Sequence, residues 1–232
     1  MNPYVNPSDQ MTTRVGSEHH NTSPADRDVM HEDDADSMDG LEVSECTRCP
    51  ALVESRSRIV NGTGPTDAAV LFVGEGPGAQ EDRQGEPFVG RSGSVLDEQL
   101  WIVGLDRDSV RITNCVRCRP SDNRDPTHTE LTNCRGYLER EIELVDPDVI
   151  VTLGKVPSEH LLERKVAVTK EAGTVEDIRI RGTPRRVLIC VHPAATLYDR
   201  SQKETFDSTI RQAADLAATD SQHGGQTRLD GF

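Results

Sequence analysis

Ala68-Ala69-Val70-Leu71-Phe72-Val73-Gly74 decides the fold. Six apolar residues in a row, closed by a glycine, do not suit a half-exposed strand, whose side chains alternate between core and water. The run reads as a strand buried on both faces, the habit of a parallel sheet covered by helices on each side. Downstream, a Gly/Pro loop is followed by apolar residues at helical spacing (Val95, Leu96, Leu100 and Val103) between Ser94 and Val103. Val110 to Thr113 is a second short strand. Thr127-His128-Thr129-Glu130 fits the capping box and predicts a helix to about Val145, stopped by Asp146-Pro147. Val149 to Gly154 is a third buried strand, followed by a short helix from Pro157 to Leu162. Val175–Ile180 and Arg186–Val191 flank Gly182-Thr183-Pro184 and predict a hairpin-like approach to the last core strand; Lys203 to Ala218 predicts a closing amphipathic helix. Alternating strands and helices predict an α/β domain of three layers, α/β/α, around a mostly parallel sheet of four strands. Such sheets bind ligands beyond the carboxyl ends of their strands. That directs attention to Gly74–Gly90, Asn114–Asp125 and His192–Arg200.

The 232 residues carry 34% hydrophobic side chains, 3% aromatics and a formal charge of −14. No apolar run approaches the ~20 residues of a membrane span. The first 20 residues lack the basic start and apolar core of a secretory signal, so a cytoplasmic chain is expected. Residues 1–40 hold nine carboxylates against Arg14 and Arg27, half of the total charge, with no apolar period. They read as an acidic disordered tail, leaving a domain over 41–218 and a flexible tail over 219–232. Lysine occurs only at 155, 165, 170 and 203. An acidic, Lys-poor surface suits folding at very high salt, where salt screens carboxylate repulsion; an ordinary acidic protein is the alternative.

Six cysteines occur, and disulfides are not expected without secretion. Cys46-x2-Cys49 has metal-ligand spacing and lies in a Pro-flanked loop. Two completions compete. Cys46, Cys49, Cys115 and Cys118 make a pair of CxxC units suited to structural zinc. Cys46, Cys49, Cys118 and Cys134 leave Cys115 as strand-end packing, and four thiolates can hold a [4Fe–4S] cluster. Spacing alone does not choose. Cys190 lies in an apolar run and is expected in the core.

The segment from Gly74-Glu75-Gly76-Pro77-Gly78 through Glu81-Asp82 to Gly85-Glu86-Pro87-Phe88-Val89-Gly90 closely resembles the family 4 uracil-DNA glycosylases, the iron–sulfur type of archaea and bacteria. Ile112-Thr113-Asn114 followed by Cys118-Arg119-Pro120, and Val191-His192-Pro193-Ala194, match further motifs of that family in order. The spacing through Cys46, Cys49, Cys118 and Cys134 is similar to the family's cluster spacing. The likeness spans about residues 42–218. It implies a monofunctional glycosylase of base excision repair that leaves an abasic site, a [4Fe–4S] cluster on those four cysteines, and a uracil-DNA glycosylase-like fold. The alternatives are a glycosylase for other deaminated bases and a non-catalytic iron–sulfur protein that binds nucleic acid.

Excision requires the base to leave the stack, its departure as an anion, and a water near the sugar. Asn114 offers a donor and an acceptor side by side, matching uracil O4 and N3–H, and the resemblance places it on that edge. Phe88, in a loop rather than a core element, is expected to be an exposed aromatic suited to stacking on a flipped base. His192, as the family implies, stabilises the anion at uracil O2. Glu75 is a candidate to orient water or stabilise the cationic sugar, and Glu81 to line the pocket near uracil C5. Gly74 and Gly76 let backbone approach the base. Arg117, Arg119, Arg124 and Arg135 read as a local basic patch for phosphates. In the family the loop after His192 wedges into the duplex; here Leu197 and Tyr198 are both candidates. Gln226, Leu229 and Phe232 resemble a sliding-clamp-binding motif. The expected partners are therefore uracil-containing DNA and a clamp, for a monomeric chain.

Overall fold

The computed structural model describes residues 38–224, with side chains to 219. The acidic tail up to residue 37 and the clamp-like motif at Gln226, Leu229 and Phe232 lie outside the described residues. A small antiparallel ribbon, β1 (Met38–Asp39) and β2 (Glu42–Val43), comes first, then α1 (Pro50–Ser55). The domain continues through β3 (Val70–Gly74), α2 (Ala79–Gln84), α3 (Arg91–Ile102), β4 (Arg111–Asn114) and α4 (His128–Val145). It closes with β5 (Val149–Leu153), α5 (Lys155–Leu162), α6 (Val168–Glu171), β6 (Val175–Ile180), β7 (Thr183–Cys190) and α7 (Arg200–Gly224).

The central sheet runs β4-β3-β5-β7-β6. Its first four strands are parallel, and β6 adds antiparallel to β7. The apolar run at 70–73 explains the layering. Val70 and Phe72 enter one core with Leu96 and Leu100 of α3 and Phe206 and Ile210 of α7. Leu71 and Val73 enter the other with Leu138 and Ile142 of α4 and Leu161 of α5. Alternate side chains thus serve opposite faces, and both faces are dry.

The sheet has five strands rather than the expected four. The segment expected only to approach the sheet is itself the edge strand β6. It pairs with β7 through a two-residue turn in which Arg181 and Gly182 both have positive φ, the geometry that matches strand twist. Its charged Glu176, Asp177 and Arg179 suit an edge that must not pair further. The capping box forms as expected: the Thr127 hydroxyl accepts from the Glu130 N–H at 3.2 Å, and the Thr127 N–H donates to the Glu130 carboxylate at 2.8 Å. The last helix passes the expected end at 218 and reaches Gly224; the Ala-rich stretch before it favours helix. Among the described residues, no helix is long and apolar enough to cross a membrane.

Candidate active site

A cavity of about 180 Å³ opens beyond the carboxyl ends of β3, β4 and β7. It is lined by Glu75, Gly76, Gly78, Glu81, Phe88, Ser92, Asn114 and His192. The expected candidates Glu75, Gly76, Glu81, Phe88, Asn114 and His192 therefore share one space, whereas Gly74 does not line it but packs against Asn114 and Phe88. Gly74 and Asn114 face each other as paired ends of β3 and β4. A Cβ at Gly74 would lie 2.4 Å from Asn114 Oδ1 and 2.5 Å from the Phe88 ring, so only glycine lets both approach. A Cβ at Gly76 would meet Val116 at 2.7 Å.

Asn114 is only 4% exposed. Among the described residues its amide has no hydrogen-bond partner, leaving a donor and an acceptor open to the cavity. Buried amides are normally paired, so the pair awaits a ligand. His192 accepts the Ala194 N–H at Nδ1 over 3.1 Å. In the neutral ring the proton then sits on Nε2. Burial lowers the ring's pKa and keeps it neutral. Gly154, at φ +109°, brings backbone against the ring's Cβ from the end of β5.

Phe88 differs from the expectation of an exposed loop aromatic. It is 7% exposed and joins the core on the α3 side while lining the cavity. Its backbone has φ +56°, unusual for a side chain of this size. Two contacts hold it there. Arg107 donates to the carbonyls of Pro87 and Phe88, and Gly93 leaves no side chain where the Phe88 carbonyl packs. The rings of Phe88 and His192 lie 6.1 Å apart at 33°.

The two acids are placed differently. Glu81 Oε1 accepts the Gly90 N–H at 3.1 Å, tying α2 to the first residue before α3. Glu75 has no hydrogen-bonded partner for its carboxylate among the described residues. Burial, and then the nearby charge of Asp125, push its pKa up to about 7. Sequence reasoning missed Ser92, Asp125 and Arg107. Ser92 lines the cavity from the first turn of α3, while Asp125 acts on it only through its charge on Glu75 and Arg107 only through its hold on the Phe88 carbonyl.

Of the expected basic patch, Arg119 keeps its charge without an acidic partner among the described residues, donating to Asn123 at 2.8 Å, and the other three arginines are paired with acids. Arg117 is 2% exposed, and its guanidinium donates to Glu141 at 2.9 Å inside the protein. Arg111 and the Thr113 hydroxyl donate to the same carboxylate at 2.8 Å each. Arg124 is paired with Glu130, and Arg135 with Glu139 and Glu163. A buried cation needs an acid, and Glu141 lies 24 residues away in sequence. In the loop after His192, Leu197 is 43% and Tyr198 80% exposed. The Tyr198 hydroxyl accepts from Arg91 at 3.5 Å.

The CxxC lies in a loop, as expected, and its Cys49 is the N-cap of α1 ahead of Pro50. Cys46 lies within electrostatic reach of Cys49, Cys118 and Cys134, and Cys118 within reach of Cys49 and Cys134; Cys115 also lies within reach of Cys134. Arg56 donates to Cys118 Sγ at 2.9 Å and to the Cys46 carbonyl at 2.7 Å; Asn133 donates to Cys49 Sγ at 3.4 Å. Donors aimed at sulfur are what a thiolate-held group needs, so the donor set fits. Among the described residues, however, no three His, Cys, Asp or Glu side chains converge to share a metal ion. Cys115 is fully buried at the end of β4 beside Leu71 and Leu138, with its thiol pushed up by burial. Cys190 is in the core, as expected.

A family model described as the uracil DNA glycosylase superfamily matches residues 61–214. A type-4 uracil-DNA glycosylase of Archaeoglobus fulgidus is 36% identical over 187 residues, spanning 78% of this chain and 94% of that protein. One from Sulfurisphaera tokodaii is 38% identical over 192 residues, 78% of this chain and 87% of that protein. One from Thermotoga maritima is 40% identical over 168 residues, 69% and 82% respectively. With the sheet, the cavity and these similarities together, the chain belongs to the uracil DNA glycosylase superfamily and, within it, to the type-4 uracil-DNA glycosylases.

Proposed function

We propose that this chain excises uracil from DNA by hydrolysis of the N-glycosidic bond, leaving an abasic site for base excision repair. The observation that carries the reading is the union of Asn114, Phe88, His192 and Glu75 around one small cavity. A flipped uracil fits its chemistry. The Asn114 amide accepts from N3–H and donates to O4, and Phe88 offers a ring to stack on. The C1′–N1 bond breaks with its electron pair passing to uracil, and His192 Nε2–H donates to the anionic O2. A neutral donor suits this task, since it stabilises the charge without protonating the base. Water adds to C1′, and the Glu75 carboxylate takes its proton. Glu81 acts by holding Gly90 and hence the Phe88 loop. No lysine lines the cavity, so no covalent imine with the sugar forms and the strand stays unbroken.

Cys46, Cys49, Cys118 and Cys134 hold a [4Fe–4S] cluster in this reading. Its contribution is structural: it ties the CxxC segment to the segment that follows Asn114 and to α4. The enzyme works as a monomer in the cytoplasm and docks on a sliding clamp through Gln226, Leu229 and Phe232. The test is excision from a labelled oligonucleotide with a single uracil, followed by alkali. Alkali-dependent cleavage at uracil, absent at thymine, is expected. No cleavage at any salt concentration favours a different base or a binding protein.

A further inference from the structure

A second, larger cavity of about 800 Å³ lies between the start of α4 and α5, and apart from the charge of Asp125 the excision chemistry uses none of its lining. Leu131 and Val156 give it half-buried apolar walls. His160 also lines it, and Nε2 of that ring is buried with no hydrogen-bond partner among the described residues. Such an atom signals a missing ligand. Burial, reinforced by the charges of Arg135 and His128, lowers the ring's pKa to about 4 and keeps it neutral. Arg135, Arg164 and Lys165 on the wall are each paired to a glutamate. Lys155 is exposed and makes no ion pair among the described residues.

The cavity opens beside the excision site. Asp125 lines it and also acts on Glu75. Pro126 stands 3.9 Å from where a Gly76 Cβ would lie. Lys155 follows Gly154, whose backbone packs on His192.

We propose that this groove is a nucleotide subsite for the same DNA strand: a neighbour of the excised uracil lays its base on Leu131 and Val156, hydrogen-bonds His160 Nε2 and sets its phosphate on Lys155. Apolar walls with a few placed polar groups are the usual make-up of such a pocket. A neutral imidazole suits a base edge, and an exposed ammonium without a salt-bridge partner among the described residues, its charge acting on Glu159 nearby, suits a phosphate. Asp125, Glu159 and Glu163 on the wall select among phosphates. They repel the doubly charged phosphate of a free mononucleotide more than the singly charged diester of a chain. The strand's identity rests on the glycosylase reading; the subsite itself does not.

The experiment measures anisotropy of a labelled, uracil-free single-stranded oligonucleotide with the full-length protein, Lys155→Ala and His160→Phe. Each variant is expected to bind about tenfold more weakly, as loss of a charged or buried hydrogen bond implies. Free deoxynucleoside monophosphate at equal nucleotide concentration is expected not to displace the strand. Unchanged binding by both variants overturns the subsite, and displacement by the free nucleotide reassigns the groove to small nucleotides. Uracil excision by the wild-type protein is read separately. Weakened binding in the variants with no excision by the wild type sinks the glycosylase reading and leaves the subsite standing; normal excision with unchanged variant binding does the reverse.

Discussion

The backbone N–H of Ala194 points at Nδ1 of His192, 3.1 Å away, and so decides which nitrogen of that ring can donate. His192→Ala removes the donor for the leaving anion. Single-turnover excision is expected to fall about 10²–10³-fold, as for loss of one oxyanion donor. Binding of uracil-free DNA, followed by anisotropy, is expected to hold. A near-normal rate removes His192 from the chemistry.

With Glu75 as the proposed base, the rate is expected to depend on pH. Its pKa, raised to about 7, leaves it protonated below that value and a working base above it. Excision under saturating substrate is expected to climb through about pH 7 and level off, and Glu75→Gln to be slow and flat. Stability runs the other way. A carboxyl whose folded pKa lies above its unfolded one favours the fold below the unfolded value and loses that contribution as pH rises through the folded value. Glu75→Gln is therefore expected to melt above the wild type at pH 8 and level with it at pH 4, in thermal denaturation at each pH.

Asn114→Ala takes away two hydrogen bonds to the base edge. A loss of about 100-fold in kcat/KM is expected, from roughly 1.5 kcal/mol for each bond. Steady-state kinetics on a uracil oligonucleotide measures it, and a loss under threefold removes Asn114 from base reading.

Cys115 and Cys118 are three apart yet are expected to behave as opposites. Cys118→Ser should lose bound iron and visible absorbance, whereas Cys115→Ser should retain both. Iron per chain measures this. Retention of iron by Cys118→Ser together with its loss by Cys115→Ser would install Cys115 as the ligand.

Deleting residues 226–232 is expected to abolish binding to a sliding clamp in a pull-down while excision is unchanged. Clamp binding that survives the deletion sinks the tail's role.

The residues that announced themselves did so through local physics. Val70 to Val73 must serve two cores, and Thr127 with Glu130 closes its own cap. Gly74, Asn114 and His192 were legible because they end strands in a sheet that binds at that edge. Helix α2 was hidden in a Gly-rich loop because its support is distant: buried Asp82 accepts the Ser57 N–H at 2.8 Å. Phe88 looked exposed because nothing near it in sequence shows that Gly74 and Gly93 make room for it. Arg117 looked like a phosphate ligand because its acid partner sits on a different helix.

Glu141, closed in by Arg111, Arg117 and Thr113, has a consequence for the medium in which this acidic chain works. Exterior pairs such as Arg140 with Glu143, or Lys203 with Asp207, fade as dissolved ions crowd round them. Glu141 is fully buried between its two guanidinium groups, where dissolved ions screen far less. In concentrated salt the seam joining α4 to the strand that presents Asn114 is therefore expected to keep its grip, and with it the placement of the amide proposed to read the base.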